Sequence, residues 1–151
     1  ISGTNAVLST FAEGDTTQIL TVTDLGALDV EVSEKTSTGV LTDAQVTAVY
    51  ESLCAANTSC SDMAEATLKQ QIAEYALEAY KLGVTEIKAI ALCVNIRVLS
   101  SSSELSRVIS KTVGNYSIES IYSALLTDTD AQVGANRASH WVFYNMLLVK
   151  L

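Results

Sequence analysis

Thirteen residues near the middle of the chain, Ile87 to Leu99 (IKAIALCVNIRVL), place apolar side chains on nearly every side of a helix. A helix that is apolar all round is one enclosed by other elements. The strongly polar interruptions between Lys88 and Leu99 are Asn95 and Arg97, two residues apart and therefore on different helical faces. Each must reach solvent or find a buried partner.

On either side of this segment the pattern becomes one-faced. Thr42-Asp43-Ala44-Gln45 is a capping box, in which the hydroxyl accepts from the third helical N–H and the Gln reaches back. Val46, Val49, Tyr50 and Leu53 follow at helical spacing and predict a helix that stops near Cys54. Asp62 with Glu65 opens a second helix, whose stripe of Leu68, Ile72, Tyr75, Ala76, Ala79 and Leu82 runs until Gly83. Glu65 and Lys69 form an i,i+4 pair in the favourable order. Thr85 is placed to cap the central helix, and Ser101 with Glu104 makes another capping box.

Leu105, Val108, Ile109 and Val113 then predict a short amphipathic helix closed by Gly114. Ser117 opens one carrying Ile118, Ile121, Tyr122, Leu125 and Leu126. A polar turn over 127–130 precedes a last helix, expected over 131–150, with the stripe Val133, Trp141, Tyr144, Leu148 and Leu151. The first forty residues are less legible. A short helix is possible over 5–12. Leu28, Val30 and Val32 alternate with polar residues as in a strand, while Leu25, Leu28 and Val32 also make a helical face. A lone strand has nowhere to place its ladder hydrogen bonds, which favours a helix or an extended arm. The expected architecture is an all-α, single-domain bundle of about five or six helices around 87–99, with short connections and antiparallel neighbours.

Composition narrows the functions such a bundle can serve. The 151 residues are 48% hydrophobic and 17% charged, as in a globular chain. Nine Lys and Arg against 17 Asp and Glu give a net charge of −8 with no basic stripe, which argues against nucleic-acid binding. No apolar run approaches the roughly 18–20 residues that cross a bilayer, so membrane insertion is not expected. The chain starts at Ile1, which fits either removal of a targeting peptide or a cut chain.

Three cysteines are present. Cys54 and Cys60 flank AANTS, a spacing that can close a small disulfide ring worth roughly 2 kcal/mol. Cys93 falls inside the apolar helix, where a lone Cys acts as a small hydrophobe. A Cys54–Cys60 bridge implies a secreted or organelle-lumen setting. Two sequons, Asn57-Thr58-Ser59 and Asn115-Tyr116-Ser117, point the same way.

Candidate chemistry is sparse. His140 is the sole histidine and is accompanied by no nucleophile elbow, and one His with scattered Cys does not make a transition-metal site. Asp128-Thr129-Asp130 begins like a calcium loop, but Gly134 falls at the seventh position and Ser139 at the twelfth, where a bidentate Glu belongs. Asp128 and Asp130 read instead as acids at a helix N-terminus, and no carboxylate falls within an apolar stripe. No catalytic residue and no metal ligand is assigned. Trp141, Phe143 and Tyr144 crowd a turn and a half of the last helix, so at least one ring must look outward or into a groove. With Tyr75 and Tyr80, the residues Trp141 and Tyr144 are the candidate ligand-binding set.

Gly83-Val84-Thr85, Arg97-Val98 and the serine run 100–103 resemble one half of a peridinin–chlorophyll protein, a helical shell around pigment. That resemblance implies a chlorophyll-ligating histidine near Tyr75 and Tyr80, where there is none. The apolar helix followed by serines, over 92–103, is similar to the C-terminal assembly domain of spider silk proteins, whose long Ala/Ser composition is not matched. Two unrelated helical families fit equally loosely, as shared composition produces, and neither is taken as the chain's family. The leading expectation is a non-catalytic domain that acts through association with a protein partner or with itself. The alternative is a carrier of an apolar small molecule or pigment held between helices.

Overall fold

A computed structural model describes residues 40–56, 64–130 and 134–148. The readings made over 1–39, Cys60 and Asn57 fall outside these residues. Six helices are found among the described residues: α1 Asp43–Ala56, α2 Glu65–Lys81, α3 Ile87–Leu99, α4 Ser102–Lys111, α5 Ile118–Leu126 and α6 Arg137–Leu148. They pack into an all-α bundle whose centre is α3.

The enclosure of α3 follows from its sequence. Nine of its residues, Ile87 and Ala89 through Ile96, are buried, and it packs against α2, α4, α5 and α6, while α1 bridges α2 and α6. Ile90, Leu92 and Ile96 are completely covered, each worth about 1.5–3 kcal/mol of transfer free energy. Cys93 is free and fully buried, and burial pushes its thiol pKa well up.

The helix ends show which local signals hold. At α1 both arms of the capping box form: Thr42 N–H donates to Gln45 Oε1 at 2.8 Å and Gln45 N–H to Thr42 Oγ1 at 3.2 Å. Gly83, at φ +108°, ends α2 in a Schellman turn. Its N–H donates to the Tyr80 carbonyl and that of Val84 to Ala79, with Val84 buried. A Cβ at Gly83 would meet the Tyr116 ring at 2.8 Å, so the residue serves both turn and packing. Ser101 and Ser117 cap α4 and α5 as expected.

Two expected caps are corrected. α2 starts after Ala64 and α3 after Glu86, neither with a side-chain cap; tertiary packing of their faces makes the local device dispensable. The last helix is also corrected in phase. Its buried face is His140, Val142, Phe143, Met146 and Leu147, whereas Trp141 and Tyr144 are half-buried and Leu148 is 43% exposed. The predicted stripe through Trp141, Tyr144 and Leu148 is thus rotated by about one residue, or roughly 100°, from the buried face.

Candidate functional site

The most unusual chemistry in the bundle lies where α6 meets α3. His140 sits one turn into α6 and is 1% exposed, and Asn95 of α3 is completely buried. His140 Nδ1 and Asn95 Oδ1 are 2.6 Å apart. An amide oxygen only accepts, so Nδ1 carries the hydrogen and Nε2 is left as a bare lone pair. Neither Nε2 nor Asn95 Nδ2 has a hydrogen-bond partner among the described residues. Burial, assisted by the nearby Arg137 charge, pushes the imidazole pKa down to about 4. The ring is therefore neutral at physiological pH, and the pair joins two helices without burying an ion.

Beside it lies a cavity of about 10 Å³ lined by Tyr122, Leu125, Leu126, Arg137 and His140. That is room for about one water molecule. Leu126 meets the start of α6 here, whereas Tyr122 stacks on Tyr144 one turn further along α6, with centroids 4.0 Å apart and planes 4° from parallel. The Tyr122–Tyr144 stack and this cavity mark the seam between α5 and α6. Leu126 and Leu148, each one turn from a stacked tyrosine, are 41% and 43% exposed. Burial, and then the charge of Glu119, push the Tyr144 hydroxyl pKa up.

Of the four residues singled out from sequence, Trp141 and Tyr144 belong to this seam on α6. Trp141 packs half-buried on the core, and its carbonyl accepts from Asn145 Nδ2 at 2.9 Å. Tyr75 belongs to the α2–α3 edge, where the Arg97 guanidinium lies 4.2 Å from its ring centroid. Arg97 Nε also donates to Glu78 at 3.2 Å and to Ser102 at 3.0 Å. Asn95 and Arg97 thus resolve their polarity differently, the first with a buried partner and the second at the rim. Tyr80 is half-buried on α2. None of the four lines the cavity beside His140. Cys54 is disulfide-bonded.

A second polar cluster joins α4 to the segment after α5. Asp128, its side chain 1% exposed, accepts from Arg107 Nε and Nη2 at 3.0 and 3.1 Å and from Lys111 Nζ at 3.1 Å. Arg107 also bonds Glu104, which is buried. The Arg107 guanidinium holds the Asp128 carboxyl well below the usual carboxylate range. Burial raises that of Glu104, whose Oε1 has no hydrogen-bond partner among the described residues.

The sequence reading of Glu104 is corrected, and that of Asp128 is extended. Glu104 supplies the backbone half of the expected box, its N–H donating to Ser101 Oγ at 3.2 Å, but its side chain turns to Arg107. Asp128 serves this ion cluster, and its Oδ1 also accepts from the Asp130 N–H at 2.9 Å, ahead of the helical turn in which the Gly134 N–H donates to the Asp130 carbonyl at 3.0 Å. Both carboxylates are buried, held among cations and not within an apolar stripe. The i,i+3 spacing of Glu104 and Arg107 was a visible signal; the pairings Arg107–Asp128 and Asn95–His140, 21 and 45 residues apart, left none.

Among the described residues no group of three or more His, Cys, Asp or Glu could hold a metal ion. No helix there is long and apolar enough to cross a membrane. No family model, no curated protein and no solved structure matches the chain.

Proposed function

We propose that the chain is a non-catalytic helical domain that acts by association, with a second copy or with another protein, in a secreted or lumenal setting. The observation that carries the reading is the α5–α6 seam. Leu126 and Leu148 are two-fifths exposed, each one helical turn from a member of the stacked Tyr122–Tyr144 pair, with Trp141 half-covered one turn before Tyr144 on α6. Apolar side chains grouped along one seam suit a docking surface better than isolated exposure does. The disulfide at Cys54 supports an oxidising compartment. Against catalysis stands the chemistry of His140, whose ring is spent on an amide and held neutral by burial.

The alternative carrier role calls for an enclosed, mostly apolar pocket of several hundred Å³; the cavity beside His140 takes about one water, and the depression of about 440 Å³ between the end of α4 and α5 is open to solvent and lined mainly by polar side chains, among them Lys111, Glu119, Ser120 and Ser123. Sedimentation over a concentration series at pH 5–8, with native mass spectrometry of the same samples, tests the association reading. Self-association or a protein partner is expected, and Leu126→Glu with Leu148→Glu should abolish it while helical content is kept. A monomer that captures no protein would overturn the reading, and a bound small-molecule mass would replace it with the carrier.

A further inference from the structure

The turn between α4 and α5 combines features that neither the packing nor the seam requires. α4 ends at Lys111, and Val113 follows in the left-handed region at φ +53° with 90% of its surface exposed. Gly114 has φ +84°, and a Cβ built on it would meet nothing within 4 Å. Asn115 is exposed and opens the sequon Asn115-Tyr116-Ser117. Its Oδ1 accepts from the Ser117 N–H at 3.3 Å, while its Nδ2 makes no hydrogen bond to the described residues. Tyr116 is anchored inward against Gly83, which fixes the tripeptide on the surface.

We propose that Asn115 is an acceptor for an N-linked glycan. The inference rests on the lumenal setting proposed above. The donor is an oligosaccharide carried on a lipid pyrophosphate. Asparagine Nδ2 forms a bond to the sugar C1, the bond from C1 to the pyrophosphate oxygen breaks, and the lipid pyrophosphate leaves with that electron pair. The displaced Nδ2 proton passes to a base of the transferase. Only Nδ2 is altered, so Oδ1 keeps its bond to the Ser117 N–H and the modified side chain leaves the turn intact. The open space around Gly114 accommodates the first sugar, whose apolar face is within reach of Val113 two residues away. This turn is a site where a bulky, solvated group costs no buried contact.

The test is the full chain directed through a eukaryotic secretory pathway, its secreted form digested with peptide N-glycosidase and mapped by mass spectrometry. Asn115 is expected to read as Asp after digestion, with a loss of apparent mass on the gel. Asn115→Gln should lose that shift, Ser117→Ala should lose it, and Ser117→Thr should retain it. Asn57→Gln in the background separates the other sequon. Unmodified Asn115 in secreted wild-type protein whose Cys54 is oxidised would overturn the inference and leave the lumenal setting standing. A reduced Cys54 in protein from its natural source would instead overturn the setting itself.

Discussion

Two of the buried polar clusters of the bundle, Asn95–His140 and Glu104–Arg107–Asp128, solve the problem of burial differently. At α3 and α6 the pair is neutral: Asn95 and His140 sit in the fully covered interior, and burial suppresses the one charge His140 could carry. At α4 the pair is ionic, but its cations stay near water, with the Arg107 side chain 45% and that of Lys111 33% exposed while Asp128 is covered. A charge at the rim keeps part of its hydration; one beside α3 would have lost nearly all of it. The depth of each cluster decides which chemistry it can hold.

This contrast breaks most visibly with pH. The folded-state pKa of His140, about 4, lies below its ordinary 6.5. The unfolded chain therefore binds the proton first as pH falls. Stability from this group is complete above about pH 6.5 and declines toward pH 4, by about 3 kcal/mol in all. At the rim the two acids oppose each other. Asp128, held low by Arg107, loses its contribution as pH drops below the usual carboxylate range, whereas Glu104, raised by burial, gains as it takes up its proton. Denaturant unfolding at pH steps between 7 and 4 should show the histidine slope, and replacing both members of the neutral pair should remove it.

Mutation sharpens the same point. Asn95→Leu strands the Nδ1–H of His140 and should cost about 2–3 kcal/mol, while Asn95→Leu with His140→Phe should return to within about 1 kcal/mol of wild type. Their double-mutant cycle measures the coupling. Asp128→Asn should cost about 2 kcal/mol, less than a deep pair would, because Arg107 and Lys111 can turn to water. A cost of 4 kcal/mol or more in thermal or urea unfolding would mean that the rim is as dry as the centre.

How much of this was legible beforehand depends on the range of the interaction. The enclosure of α3, the stripe of α2, the Thr42–Gln45 box and the Gly83 stop are local patterns, and each is present in the fold. The phase of α6 was misread because the stripe was drawn through Trp141 and Tyr144, and the partner that holds His140 in the core lies 45 residues away. The ion pairing of Asp128 left no local signal for the same reason, its cations lying on α4. The four candidate aromatics split between the α6 seam and α2, since helical spacing places residues on a face without saying which faces meet. The left-handed position after α4 was expected at Gly114, yet Val113 also adopts it.

That last difference carries the smallest prediction. A β-branched residue in the left-handed region is strained by about 1–2 kcal/mol, partly offset in glycine by its unfolded-state entropy. Val113→Gly should therefore raise stability by up to about 1 kcal/mol in thermal unfolding, leaving both polar clusters unchanged.

The neutral state of the central pair is most directly read by ¹⁵N and ¹³C NMR of the His140 imidazole through a pH titration of the folded protein. The account predicts a neutral ring with its hydrogen on Nδ1, and no protonation until pH approaches 4. A ring that titrates near 6.5 while the bundle remains folded, or that carries its hydrogen on Nε2, would contradict it.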